Sequence, residues 1–400
     1  MGGIAEPSQD AFDVLIVGGG NAGLSVAGRL LRRGVERVAV IEPLAVHTYR
    51  PLLSYVGGGQ ATQSDAERMQ GSVTPDGCEW LQDSVVAVGA DTQTVRCESG
   101  RTCLYNDLVM APGLVPDETA LPDVYAALDT AAVASNYLDH AEKTWQLVES
   151  MMAGRAVFTV PRPPVSCTGT TLKPLFLAAA YWRRMGRLGD IEITLIVDRP
   201  NLLGVDAIDE RLRGYLGEIG VEVLNGTVTE LHPAEQKVSV KTREGADQKV
   251  AYDLLHLVPP FRGPTWIESS GLAAAEHGLA DIDPKSFRHR RHPKVWALGD
   301  AASVATDPSG GAIRKQSAIL VNNLLAARNG GRFAEYDGYT VAPIATDSHK
   351  LMFGEFDRTG ALSTSLPSFV DPLKPRRTAW AFDRYGLPQM YWNLILKGRL

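Results

Sequence analysis

Gly18, Gly20 and Gly23 stand in G-x-G-x-x-G spacing, and Glu42 follows about 20 residues later. Each residue type has a chemical reason. Gly18 permits a tight turn, Gly20 lets the backbone approach a pyrophosphate seated on a helix N-terminus, and Gly23 lets helix and strand pack closely. Glu42 can accept hydrogen bonds from a ribose 2′-OH. Together they predict a dinucleotide site. The alternative, an ordinary glycine-rich turn, is disfavoured by the strand pattern before the glycines and the helical pattern after them. A second reactive residue is Cys167, at the end of the proline-rich run PRPPVSC and ahead of a helical pattern. A helix N-terminus is expected to stabilise its thiolate and lower its pKa, and a thiolate is a nucleophile toward sulfur. No metal site is expected.

These residues need elements to hold them. Val14 to Val17 reads as a buried parallel strand, Leu24, Ala27, Leu30 and Leu31 as a helix face, and Val38 to Ile41 as a second strand closed by Glu42. Residues 78–110 alternate as short strands, with ESGR as a turn between Cys97 and Cys103, which read as two buried thiols. The strand from Tyr105 ends in a turn at Gly113, expected beside the cofactor. Residues 122–152 read as mostly helical. Ala156 to Val160 is the strand that should open a second Rossmann unit, yet PRPPVSCTG follows it and no glycine fingerprint does. Proline rings obstruct a pyrophosphate and offer few N–H donors, so NAD(P)H is not expected there.

Beyond it, a helix is expected from about Leu172 to Met185 and another over 207–219, with strands IEITLIVD and VEVLNGTVTELHP beside them. Val295 to Leu298 is a strand ending at Gly299-Asp300, before a helix from about Gly311 to Arg328. In proteins with two dinucleotide folds, such a turn sets the acid on the ribityl or pyrophosphate part of FAD. That makes FAD the expected cofactor and Asp300 a ligand. Lys315 and Gln316, at the start of the following helix, are expected toward the flavin's pyrimidine edge. His47 and Glu355 are weaker candidates for proton handling. The expected fold class is α/β, with two Rossmann-type, doubly wound domains and a small C-terminal domain. The FAD domain spans 10–115 and returns over 293–335. The second domain spans 116–292 and the C-terminal domain 336–400.

A 400-residue chain with 44% apolar and 22% charged residues is that of a globular protein with ample core. A net charge of −6 gives no electrostatic reason to expect nucleic acid as a partner. Four cysteines in this length make no disulfide scaffold, so a reducing compartment is expected. The first twelve residues lack the basic and apolar regions of a signal peptide. The expected location is cytoplasmic, or peripheral on the cytoplasmic membrane face. The tail is rich in aromatics: Phe353, Phe356, Phe369, Trp380, Phe382, Tyr385, Tyr391 and Trp392, near Lys374, Arg376 and Arg377. Two readings of it stand, a capping domain with a core or homodimer face and an amphipathic surface that meets a membrane and admits a quinone.

Across nearly its full length the chain resembles the sulfide:quinone oxidoreductases. The residues that carry the resemblance are VGGGNAG, HTYRP with the VGGG after it, SNY…EKTW from Ser135 to Trp145, VFTVPRPPVSCTG, DLLHLVPP, HRRHPKVWALGD, YDGYT from Tyr336 to Thr340, GEFD from Gly354 to Asp357, and MYWNLILKG. The resemblance implies bound FAD, two Rossmann-type domains and two redox cysteines. One becomes a persulfide, and the other, as a thiolate, hands electrons to the flavin, which a quinone reoxidises. Cys167 matches the flavin-facing cysteine. The chain departs from the pattern at Ala342, which occupies the position of the second cysteine, and Cys167 is the last cysteine in the chain. It departs again in AASVATDPSGGAIRKQ after Asp300, where the pattern has a Cys and a Lys-bearing segment. The expected function is oxidation of sulfide or a thiol through Cys167 and FAD with quinone as acceptor. Two alternatives remain: a flavin oxidoreductase acting on an organic small molecule or thiol with a soluble acceptor, and a non-catalytic flavin-binding protein.

Overall fold

The computed structural model describes residues 10–363 and 371–400. Residues 1–9, which fall in the stretch read above for a signal peptide, and Phe369 of the tail lie outside the described residues.

The glycine-bearing turn sits at the centre of a seven-stranded sheet. Its strands run in the order Cys78–Leu81, Val38–Ile41, Asp10–Val17, Thr102–Met110, Thr94–Cys97 and Val85–Gly89, and Val295–Ala297 pairs in parallel with Thr102–Met110. Asp10–Val17 and Val38–Ile41 pair in parallel over Val14 to Val17, where every side chain is buried, so an uninterrupted apolar run is what this position requires. A second seven-stranded sheet runs Val133–Ala134, Leu254–His256, Gly154–Val160, Ile191–Val197, Glu222–His232, Lys237–Thr242 and Asp247–Ala251. Its central pairs are parallel and its last two are antiparallel. Two such units with helices between the parallel strands make the doubly wound α/β class expected from the sequence.

The stretch 122–152 differs from the expectation of a mostly helical segment. Helices cover Val124–Leu128 and Ala141–Ser150, and the short strand Val133–Ala134 lies between them on the edge of the second sheet. The loop after that strand carries Ser135, Asn136 and Tyr137 to the first domain, a task that a continuous helix could not perform. The helix expected from about Leu172 to Met185 is Lys173–Arg184, and a single separate turn at Thr168–Thr171 lies between it and Cys167. Cys97 and Cys103 lie on either side of a hairpin turn as buried free thiols.

The chain after residue 336 ties the two units together. A hairpin of Thr340–Asp347 and Lys350–Phe356 buries Ala342, Ile344, Met352 and Phe356 in the core of the second unit, with Phe158, Phe176 and Trp182. The final helical run, from Arg377 to Ile395, contains two π-helical turns, and its Tyr391, Trp392, Ile395 and Leu396 enter the core of the first unit. Phe382 and Tyr385 on the same run are exposed at 45% and 56%. Its end is therefore core and its middle is surface. No described helix is long and apolar enough to cross a membrane.

Candidate active site

The backbone around the glycines explains why side chains are absent there. Gly18 has φ +100°, and a Cβ would stand 2.2 Å from the Ala111 carbonyl oxygen. A Cβ at Gly23 would stand 1.9 Å from the Gly18 oxygen, so helix Asn21–Arg32 packs against the turn only through a glycine. Gly20 is different. A Cβ there would meet nothing within 4 Å, so the space in front of this helix N-terminus is open, and no side chain caps the helix. Its first N–H groups face that opening without a side-chain acceptor. A Cβ at Gly113 would also meet nothing within 4 Å.

Glu42 follows strand Val38–Ile41 directly, where it accepts the Gly19 and Leu44 N–H groups at 2.8 and 2.9 Å. His47, buried, brackets the same turn: Nδ1 lies 3.0 Å from the Gly19 oxygen and Nε2 lies 2.6 Å from the Tyr391 hydroxyl. Burial holds its pKa below the ordinary histidine value, so it is neutral at pH 7. His47 therefore ties the glycine turn to the last aromatic cluster of the chain. Glu355 is buried on strand Lys350–Phe356 and accepts the Tyr339 hydroxyl.

Cys167 lies on the second unit, between strand Gly154–Val160 and the turn Thr168–Thr171. It is 9% exposed, with φ +55°, a left-handed conformation that costs a non-glycine residue about 1–3 kcal/mol and needs support. The support is explicit. The Tyr137 hydroxyl donates to the Ser166 and Cys167 carbonyls at 3.1 and 3.2 Å, and Thr170 donates its N–H to the Cys167 oxygen and its hydroxyl to the Cys167 sulfur at 3.1 Å. The Ser166 side chain lies beside Asp300, the acid of the Gly299-Asp300 turn, and favours its charged form against burial. Arg50, at the start of the turn Arg50–Leu52 in the first unit, donates to the backbone carbonyl of Tyr137. Cys167 and Asp300, remote in sequence, are thus one neighbourhood.

The thiol's acidity runs opposite to the expectation of a lowered pKa. Burial, then the Asp307 carboxylate, push Cys167 up to about 11; the Thr170 hydroxyl and Lys173 pull the other way and lose. A single helical turn carries too little dipole to reverse that. Asp307 was not singled out by sequence, although it lies in the segment that departs from the family pattern. The expected pair on the next helix splits. Gln316 is buried and accepts the Gly299 N–H at 3.1 Å, holding the turn. Lys315 is exposed, 3.2 Å from Asp337 and 4.0 Å over the Tyr339 ring. Ala342 is fully buried and faces the turn after Cys167: its Cβ stands 2.7 Å from where a Gly169 Cβ would be.

Comparison with known proteins now has a geometry to meet. The family model for pyridine nucleotide-disulphide oxidoreductases matches residues 12–322. The mitochondrial sulfide:quinone oxidoreductase of Dictyostelium discoideum is 31% identical over 397 residues, covering 98% of this chain and 87% of the relative. The mouse mitochondrial enzyme of that name is 30% identical, covering 98% and 88%. The chain belongs to the sulfide:quinone oxidoreductase family. A solved structure of the sulfide:quinone oxidoreductase of Aquifex aeolicus shares the fold, with a TM-score of 0.78 at 17% identity over 96% of this chain and 91% of that one.

The chain is accordingly an FAD-dependent oxidoreductase. The residues present fit that cofactor. The cradle at Gly20 is open, and both side-chain polar atoms of Asn136, buried at 4% exposure, lack a partner among the described residues. Such an amide is costly unless a ligand satisfies it.

In the second unit the corresponding acid already has partners. Asp198 follows strand Ile191–Val197 as Glu42 follows Val38–Ile41, but Arg162 and Thr227 occupy it at 3.0 and 2.6 Å. The cavity beside it, lined by Pro161, Arg162 and Thr227 among others, measures about 20 Å³, room for one water. NADH is therefore expected not to bleach the flavin in anaerobic titration. Stoichiometric bleaching by NADH would overturn this reading of the second unit.

Proposed function

We propose that this protein oxidises sulfide, or a small thiol, at Cys167 and passes the electrons through FAD to a quinone. One observation carries the reading. Cys167, the buried thiol that ends the PRPPVSC loop, is held by the Tyr137 hydroxyl through the Ser166 and Cys167 carbonyls, and its neighbour Ser166 lies beside the Asp300 carboxyl of the other unit. Gly18, Gly20 and Gly23 would receive the pyrophosphate of FAD, Glu42 its ribose, and Asp300 the ribityl side, with Gly113 and Asn136 beside the cofactor and Gln316 holding the Asp300 turn. Lys315, paired with Asp337 at the start of the same helix, would lie toward the pyrimidine edge. FAD, when bound, would supply a two-electron acceptor.

With Ala342 in place of a second cysteine, the sulfur step must run on one thiol. Cys167–SH and HS⁻ give Cys167–S–SH, one proton and two electrons. The electrons leave through the cofactor, and the quinone takes them up with two protons to become the quinol. An external thiol then removes the outer sulfur as its own persulfide and restores Cys167–SH. Exposed Phe382 and Tyr385, with Lys374, Arg376 and Arg377 nearby, support peripheral membrane contact where a lipid-soluble acceptor would arrive.

Anaerobic titration tests the reading. Sulfide is expected to bleach the flavin, and a water-soluble quinone to restore its colour. A flavin that dithionite bleaches but sulfide and small thiols do not would reject the proposal. The same titration on Ala342→Cys, whose new thiol would face the turn after Cys167, is expected to bleach faster.

A further inference from the structure

Cys167 and Asp307 meet at the first turn of helix Thr168–Thr171. A thiolate at position 167 would draw on the free N–H groups of that turn. The first of them is already engaged. The Thr168 N–H donates to Asp307 Oδ2 at 3.2 Å, the Thr168 hydroxyl donates to Asp307 Oδ1, and the Thr170 N–H closes on the carbonyl of Cys167 itself at 2.9 Å. Arg199 clamps the arrangement from the end of strand Ile191–Val197, donating to the Thr168 hydroxyl at 2.9 Å.

We infer that Asp307 is a positioning residue that keeps Cys167 a protonated thiol in the resting enzyme, by taking the Thr168 N–H and setting a negative charge beside the sulfur. The inference rests on reading Cys167 as the redox thiol. The charged groups around the sulfur come from several elements. The Thr170 hydroxyl and N–H and Lys173, on the next helix, favour the thiolate, while burial and Asp307 oppose it and prevail. Asp300 lies beside Ser166 and has its own carboxyl pKa raised by burial. Arg199 faces Asp307, and Arg50 faces Asp300 and Tyr137. The balance leaves Cys167 neutral at pH 7, and Asp307, raised by burial to about 6, ionised. A one-thiol site gains from this arrangement. The thiolate is the nucleophile and the species that oxidants attack, and Cys167 has no second cysteine after it in the chain to close a protective disulfide.

The test is the pH dependence of Cys167 alkylation by iodoacetamide in the FAD-loaded protein, followed on the Cys167 peptide by mass spectrometry. The wild-type midpoint is expected near the raised value. In Asp307→Asn, which keeps the shape and removes the charge, it is expected to fall by one unit or more, making alkylation near neutral pH at least about tenfold faster. Asp307→Glu is expected to keep most of the elevation. An unchanged midpoint in Asp307→Asn would overturn the inference. So would a wild-type midpoint below the ordinary thiol value, a measurement that stands even if no variant folds. Failure of the sulfide reading leaves this result untouched, because alkylation needs no turnover.

Discussion

In Cys167→Ser, sulfide is expected to stop bleaching the flavin, with a fall in rate on the order of 10³-fold or more, as when a nucleophile is removed from a group of residues that act together. Serine is nearly isosteric, keeps the hydrogen bond to the Thr170 hydroxyl, and leaves Tyr137 holding the same carbonyls. An oxygen at that position cannot form the sulfur–sulfur bond on which the electron transfer depends. Dithionite should still bleach the variant completely, because none of the open glycine cradle involves residue 167. Cys78→Ser provides the control: Cys78 lies on the edge strand of the first sheet and is expected to leave the titration unchanged. Sulfide bleaching at the wild-type rate in Cys167→Ser would remove the cysteine from the reaction.

The two halves of this site were unequally legible in the sequence. The glycine turn and Glu42 are local. Their meaning depends on a strand, a turn, a helix and a strand in immediate succession, and the Glu42 contact to the Gly19 N–H spans only 23 positions. The absence of a second fingerprint was legible for the same reason. What engages the acid of the second unit was not, since Arg162 meets Asp198 only once two strands have been paired. The acidity of Cys167 was read with the wrong sign because its main electrostatic partner, Asp307, is 140 positions away and enters through the loop after Gly299-Asp300. Lys315 and Gln316 are neighbours in sequence, but adjacent helical residues point about 100° apart, so one holds the turn and the other meets solvent. The mostly helical reading of 122–152 holds for its two ends and gives way where Ser135 to Tyr137 leave regular structure to reach Cys167.

The largest expected effect on stability concerns an ion pair whose members are 210 positions apart. Lys173, fully buried at the start of the helix after Cys167, lies 3.2 Å from Asp383, itself 3% exposed on the π-helical turn Phe382–Gly386. The Tyr55 hydroxyl donates to the same Asp383 oxygen at 2.6 Å, and the Lys173 ammonium sits 5.4 Å over the Tyr55 ring. Three segments meet in this cluster: helix Leu53–Gly57 of the first unit, the helix that follows Cys167, and the C-terminal run. Taking two charges out of water costs several kcal/mol each, offset here by the pairing, the phenol and the ring. Removing one partner strands the other charge. Lys173→Met or Asp383→Leu alone is expected to cost about 3–5 kcal/mol, and the double variant to recover most of that loss, because two apolar side chains leave no charge behind. Thermal unfolding of the FAD-loaded proteins measures this as a lowered midpoint in each single variant and a largely restored one in the double. Additive losses in the double variant would mean that the residues act through separate packing and not as a pair. Because the same helix begins just beyond Cys167, the single variants should also slow sulfide bleaching, and the double variant should recover rate along with stability. Recovery of stability without rate would assign the cluster a part in the chemistry as well as in the fold.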